Sequence, residues 1–406
     1  MLIKLLLLST LWVLLIWQFL GYPLIMATRY NSSRLVNKDY SFKQSVSMIV
    51  ATYNEITTIG NRLENLIKLN YPKKMYEIIV VDSGSTDNTR DIVHNVIRNL
   101  NANDPSIRLI TEEQRNGKSS ALNLGIKYSR GDIILVVDAN STYDENILYE
   151  IIPHFKDNSI GAVSGRYNVQ NQDSKIPQAE AFYWQIENAT FKGESSLDSI
   201  STVIGGISAW RKNLVTFSTQ AISEDLDMTM TLRKKGYKIK YEPYAVVYEP
   251  AAGTVEDQIL QRKRTCLGTI QCMVKHWRDI LTPKNMYFNF IFPSHKIIPM
   301  FSPFIFILLT ITYLLVEKNA VIIAHLLVCV GLSFICYLLL VKYISDDSSR
   351  AKPMSLDSII NIGKYVLLNE YIILLAWYNY VFSNYSVLWE KPQSTRITEL
   401  GSVLNE

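Results

Sequence analysis

Four cysteines in 406 residues are few, and Cys266, Cys272, Cys329 and Cys336 form no CxxC pair. That argues against a thiolate metal site or a disulfide framework and for thiols facing a core or lipid. A dominant charge is missing too: 41 Lys and Arg against 37 Asp and Glu leave +4. No global basic field is present to hold nucleic acid. Internal repeats and low-complexity tracts are absent. Apolar residues are plentiful, at 48%, and they gather at the two ends around a middle of ordinary soluble composition. The length exceeds one ordinary domain and suits a soluble domain plus something else.

Leu5 to Leu20 is almost wholly apolar and, with residues 21–27, reaches the ~20 residues that cross a bilayer. A cleaved leader is the rival reading, since Lys4 precedes the run. The length and the poor cleavage site near Ala27 favour a retained anchor over residues 1–28. Arg29, Arg34, Lys38 and Lys43 mark a basic linker, 29–45, against Lys4 alone before the anchor. This asymmetry places the following domain in the cytoplasm, at the plasma membrane. The sequons at Asn31, Asn140 and Asn188 are then chance matches. Near the other end, residues 283–296 carry Tyr287, Phe288, Phe290 and Phe292, the composition of an interfacial helix. Ile297–Val316 and Ala320–Val341 read as spans joined at Glu317-Lys318-Asn319. Ile359–Phe382 is a third candidate, weakened by Lys364, Asn369, Glu370 and Asn379. The membrane part thus covers 297–385 and leaves a tail, 386–406.

The middle, 46–282, alternates strand and helix. Strands are expected at Val46–Thr52, Glu77–Val81, Ile107–Thr111 and Ile133–Val137, with helices at 57–70, from Thr86 or Asp87 to Leu100, and from Lys118 to Ser129. This order implies an α/β fold with a mostly parallel sheet and right-handed crossovers. Beyond it, Gly161–Val169 reads as a strand, 177–191 as a helix carrying Trp184, and Lys238–Glu249 as a paired strand region. Ser223-Glu224-Asp225 opens a helix, and a basic helix runs from Val255 to Trp277. The loops after Val50, Val81 and Val137 then share one edge, where open α/β sheets bind ligands.

Those loops are acidic. Asp82 follows one strand and Asp138 another, and each is either a capped turn or a ligand-binding carboxylate. Carboxylates near a diphosphate hold a hard divalent ion such as Mg²⁺. Lys118, at a helix start, offers positive charge to phosphate or base. Glu224-Asp225 is either ordinary N-terminal helix charge or an acid pair able to deprotonate a hydroxyl.

Taken in order, Val50-Ala51-Thr52-Tyr53-Asn54-Glu55, Val81-Asp82-Ser83-Gly84-Ser85-Thr86-Asp87, Asn116-Gly117-Lys118, Asp138-Ala139-Asn140, Ser223-Glu224-Asp225 and Gln261-Arg262-Lys263-Arg264 carry a resemblance. The chain resembles the family 2 membrane glycosyltransferases of the cellulose-, hyaluronan- and poly-N-acetylglucosamine-synthase type. The resemblance runs from about residue 46 to 280 and on through Ser294-His295-Lys296. It implies a GT-A type nucleotide-sugar domain with transmembrane and interfacial helices. By resemblance, Thr52, Glu55 and Asp82 hold the uridine of a UDP-sugar, with Tyr53 beside them, and Lys118 lies near the base or diphosphate. Asp138 and Asn140 stand where the family holds Mg²⁺ or Mn²⁺. Asp225, beside Glu224, matches the catalytic base, and Gln261, Arg262 and Arg264 match the motif that neutralises the leaving diphosphate.

Three positions depart from that pattern. Asn140 replaces the second acid of the metal motif, Ser223 opens the base motif, and Thr265 replaces a tryptophan that supports the growing sugar in processive synthases. Trp184 and Trp210 are possible substitutes. The expected acceptor is a growing polysaccharide. Transfer of one sugar to a lipid-linked acceptor is the alternative, and a nucleotide-sugar sensor without catalysis a third reading. The tail, through Trp389-Glu390-Lys391-Pro392 and Ser394-Thr395-Arg396, resembles a segment that lies near the active site in this family.

Overall fold

The computed structural model describes residues 2–29, 38–171, 175–282, 285–316, 319–345, 356–383, 385–388, 392 and 394–396. Among these, eight strands form one sheet: β1 (Val46–Thr52), β2 (Tyr76–Ser83), β3 (Ser106–Glu112), β4 (Ile133–Val137), β5 (Thr142–Tyr143), β6 (Ile160–Val169), β7 (Ile207–Arg211) and β8 (Lys238–Glu249). Their order is β3-β2-β1-β4-β7-β6-β8-β5. β1 pairs in parallel with β2 and β4, β2 with β3, and β6 with β8. β7 runs antiparallel between β4 and β6, and β5 antiparallel to β8. Every residue of β2 and β4 is buried, as expected of parallel strands covered on both faces. Register places Thr52 beside Asp82 and Val50 beside Val137, so the three motif loops open on one edge.

The helices are α1 (Leu2–Ile16), α2 (Tyr22–Arg29), α3 (Ile59–Ile67), α4 (Thr89–Arg98), α5 (Lys118–Tyr128), α6 (Ile147–Ile151), α7 (Lys175–Leu197), α8 (Glu224–Lys234), α9 (Val255–Lys275), α10 (Trp277–Leu281), α11 (Ile298–Leu314), α12 (Asn319–Ser345) and α13 (Leu356–Phe382). A π-helical turn, Trp17–Gly21, joins α1 to α2. Among the described residues, three helices are long and apolar enough to cross a membrane: Leu2–Arg29, Tyr287–Leu314 and Ala320–Tyr343.

Lys238–Glu249 is one long strand paired with β6 and β5, as expected. The aromatic segment before α11 continues directly into that helix, and Tyr287, Phe288, Ile291 and Phe292 are buried against α8 and α9 residues such as Met230 and Ile270. These aromatics thus pack the segment onto the sheet domain at the point where the membrane-length helix begins. α13 is not among the three membrane-length apolar helices. Its polar groups meet protein: Glu370 accepts from Ser302 Oγ at 2.7 Å, and Trp377 Nε1 donates to Met300 O at 2.8 Å. Asn31, Arg34 and the turn residues Glu317 and Lys318 lie outside the described residues.

The N-terminal helix is bound to the soluble domain through α7. Tyr22 donates to Glu194 Oε1 at 2.6 Å, and His295 Nδ1 lies 2.6 Å from the same oxygen. The helices approach closely because position 193 is glycine: a β-carbon there would lie 2.1 Å from Met26 O. Gly193→Val is therefore expected to force α2 off α7 and to cost about 1–3 kcal/mol, the usual price of overpacking. Thermal unfolding of the purified protein in detergent measures this.

Candidate active site

The edge loops are stapled to one another before any ligand arrives. Asn54 takes a left-handed conformation, φ 53°, which asparagine tolerates better than most residues. Its backbone N–H donates to Ser85 Oγ at 2.9 Å, and its side-chain oxygen accepts from Thr86 N at 2.8 Å. Glu55 N donates to Thr89 Oγ1 at 2.8 Å, and Thr52 Oγ1 to Val81 O at 3.3 Å. The Arg115 guanidinium lies over the Tyr53 ring at 4.2 Å. Asp82 is fully buried, paired with Arg90 Nε at 2.5 Å. Its Oδ1 has no partner among the described residues.

At the centre stands Lys118. Its ammonium is 2.8 Å from Asp138 Oδ1 and 3.2 Å from Glu224 Oε1. It thus joins the end of β4 to the start of α8. Burial works against the charge, but the two carboxylates outweigh it and hold the lysine protonated well above its ordinary range. Asp225 accepts from Ser223 Oγ and Leu226 N, both at 2.7 Å and both on Oδ1. Burial, then the charge of Glu224, push the Asp225 carboxyl above its usual value despite those bonds and Lys118. The Gly205-Gly206 backbone lies against the acids. A β-carbon on Gly205 would meet Asp225 Oδ2 at 3.3 Å, and one on Gly206 would meet Asp138 Oδ2 at 3.3 Å.

The two arginines of α9 diverge. Arg264 lies 3.8 Å from Glu224 Oε2. Arg262 turns to Tyr183, whose ring it covers at 4.3 Å, and to the Tyr365 hydroxyl. α7 presents Glu180, Tyr183, Trp184, Glu187 and Phe191 to the same space, with Lys296 beyond them. Trp184 stacks on Tyr167 at 4.2 Å, while Trp210 is fully buried in the core and stands away from the cavity. Thr265 borders the cavity, so its ring-less position is part of the site.

Every site residue singled out from the sequence borders one cavity of about 350 Å³ except Asp82, which lies just behind it, with Ser83 at the wall. Sequence reasoning missed Arg115, Glu249 and the α7 acids. The last had a signal: positions 180, 183, 184, 187 and 191 repeat with helical spacing. Outside the cavity, Asp227, Cys272 and His276 cluster with metal-like spacing. The Lys275 ammonium lies 2.7 Å from Asp227, so this cluster already holds its cation.

The model of the family described as "Glycosyl transferase family 2" matches residues 47–216, and that of "Glycosyl transferase family group 2" matches 133–382. Poly-beta-1,6-N-acetyl-D-glucosamine synthase from Staphylococcus epidermidis is 28% identical over 270 residues, 65% of this chain and 64% of the relative. The synthase of the same name from Staphylococcus aureus strain COL is 27% identical over 263 residues, 63% of this chain and 62% of the relative. The matched region thus spans somewhat less than two thirds of these relatives. Among solved structures, mannosyltransferase PcManGT from Pyrobaculum calidifontis, in complex with GDP-Man and Mn²⁺, superposes with a TM-score of 0.64 at 21% identity, covering 93% of this chain and 99% of its own. That likeness shows the fold. With the motif loops, the sheet order and a family match over more than half its length, the chain belongs to the family 2 glycosyltransferases and is a membrane protein.

Proposed function

We propose that the protein moves a sugar from a UDP-sugar to a growing saccharide acceptor, by direct displacement with inversion at the anomeric carbon. One observation carries the reading: Asp225, half-buried at the cavity wall with its proton affinity raised, stands beside Glu224, which Lys118 joins to Asp138. A base must compete for a hydroxyl proton, and a carboxylate poised above its ordinary range does so better. A single base opposite the leaving group implies one displacement. Thr52, Tyr53 and Glu55 face the uridine, and the spare oxygen of Asp82 is suited to a base N–H. Lys118 and Arg264 place positive charge where the diphosphate departs, in a site where such charge counts for more than in water. A divalent ion, Mg²⁺ or Mn²⁺, would add Lewis-acid neutralisation of the leaving group when bound. Asp138 and Asn140 are the residues to hold it, and their oxygen donors, beside the cradle above Gly206, suit a hard cation.

The cavity is read as cytoplasmic. The anchor places the sheet domain on one side, and the two later spans return the chain to that side. The tail supports this: Ser394 donates to Asp257 from its N–H at 2.8 Å, and Thr395 borders the cavity. Trp389, Glu390 and Lys391 lie outside the described residues. Transfer to a lipid-linked acceptor is the second reading. Thr265 favours it, as does Lys296, which brings the cavity wall to the start of a membrane helix.

Purified protein in detergent is expected to release UDP from one member of a panel of UDP-glucose, UDP-N-acetylglucosamine and UDP-glucuronate. Asp225→Asn and Asp138→Ala should each lower the rate by about 10²–10⁴-fold, the usual worth of a positioned proton acceptor or charge. Normal turnover in Asp225→Asn would remove the base from this position. Product length separates the acceptors, since a polymerase leaves a ladder of saccharides and the alternative a single glycolipid.

The acid limb of kcat/KM should lie above the ordinary carboxylate value of about 4, because protonation of Asp225 ends activity and burial with Glu224 raises its affinity for the proton. Removing the nearby cation in Lys118→Met should move the limb to higher pH, and removing the like charge in Glu224→Gln to lower pH. A pH–rate profile of each variant reads this position independently of the rate lost.

A further inference from the structure

Asn140 leaves Asp138 without the second acid that the family motif supplies, and the sheet brings another carboxylate to the place. β4 and β7 pair antiparallel with Val137 opposite Ile207, so the next step along the ladder sets Asp138 level with Gly206. β8 runs in the same direction as β4, through β7 and β6. Its last residue, Glu249, therefore emerges on the same carboxyl edge. Both side chains flank the space above Gly206. A β-carbon placed there would lie 3.3 Å from Asp138 Oδ2 and 3.4 Å from Glu249 Oε2, and the next nearest atom is the Asp138 carboxyl carbon at 3.9 Å.

The other oxygen of Asp138 faces Lys118 at 2.8 Å. Lys118 is shared with Glu224, so it neutralises the acids at the β4–α8 junction, and Oδ2 is the atom turned toward Glu249. Two carboxylates flanking one methyl-sized space disfavour each other's ionised form unless positive charge stands near; the buried Arg62 lends both acids some, and a divalent ion at the cavity side would add more. Only glycine at 206 keeps that space open. Both residues border the cavity, as does the neutral amide of Asn140. Two anionic oxygens and an amide oxygen beside a diphosphate make a donor set for a hard, six-coordinate divalent ion.

We propose that Glu249 supplies, with Asp138, the anionic oxygen pair that holds the divalent cation, taking the place of the carboxylate missing at Asn140. The inference rests on the nucleotide-sugar reading of the cavity. It assigns the end of β8, which no motif marks, to the cation site, and it explains how the Asp-Ala-Asn sequence is tolerated.

The test is Mn²⁺ binding to the full-length protein in detergent with saturating UDP, read from loss of the free-ion electron paramagnetic resonance signal. Glu249→Gln should weaken Mn²⁺ affinity by about ten- to a hundredfold, with an unchanged melting temperature as evidence of folding. Gly206→Ala, which fills the cradle without altering charge, should weaken it as well. Asn140→Asp added to Glu249→Gln should recover most of the loss by returning a carboxylate to the motif. Mn²⁺ affinity in Glu249→Gln equal to that of the parent protein, together with its loss in Asp138→Asn, would overturn the role of Glu249 and leave the donor site standing. Undiminished Mn²⁺ affinity in both Asp138→Asn and Glu249→Gln would overturn the cation site itself.

Discussion

The Lys118 ammonium is the tie on which the site depends. Asp138 arrives from the end of a buried parallel strand, and Glu224 from the first turn of a helix more than eighty residues later in the chain. Nothing in local structure brings two carboxylates together, and in a partly buried cavity their repulsion is weakly screened. One lysine at the start of α5 reverses the sign of that encounter. It also fixes geometry, because each acid has a defined oxygen turned to the ammonium, while Glu224 turns its other oxygen to Arg264 and Asp138 turns its other toward Gly206. The strong retention of its proton is the measure of how far attraction exceeds the cost of burying the charge.

The same balance separates acids by task. Asp82 is answered by Arg90 and held from solvent. Asp138 shares a lysine. Asp225 accepts two local hydrogen bonds and still gains proton affinity, since burial and Glu224 work against its charge. Three aspartates near one sheet edge thus acquire three electrostatic characters from their neighbours.

Much of this was legible in the residues. The Ile133–Val137 run is β4 with both limits as read, because a short, continuous β-branched segment has few ways to be buried. The acid loops were legible because strand–helix alternation forces them to one edge. What lay beyond reading was long-range. Nothing local says that β7 turns antiparallel and inserts beside β4, and that insertion sets Gly206 against Asp138. Glu249 closes a strand of mixed pattern, so its arrival at the site depends on the order of four strands. The packing of the aromatic segment ahead of α11 on α8 and α9 was likewise not legible, because interfacial and core helices draw on the same amphipathic residues.

The α7 contacts to the membrane part have a consequence for what can be cut apart. Glu187 borders the cavity and lies 3.1 Å from His295 Nε2, while Glu194 lies 2.6 Å from His295 Nδ1 and accepts from Tyr22. Burial favours the neutral form of Glu187, yet the His295 partner holds it ionised, down to about pH 2. Both partners belong to the apolar helices. A soluble fragment trimmed at the edges of the sheet domain would keep two buried carboxylates and lose the groups that answer them, and orphaning a buried charge costs about 3–5 kcal/mol. The apolar helices are in this sense a chemical component of the cavity wall and not a detachable tether.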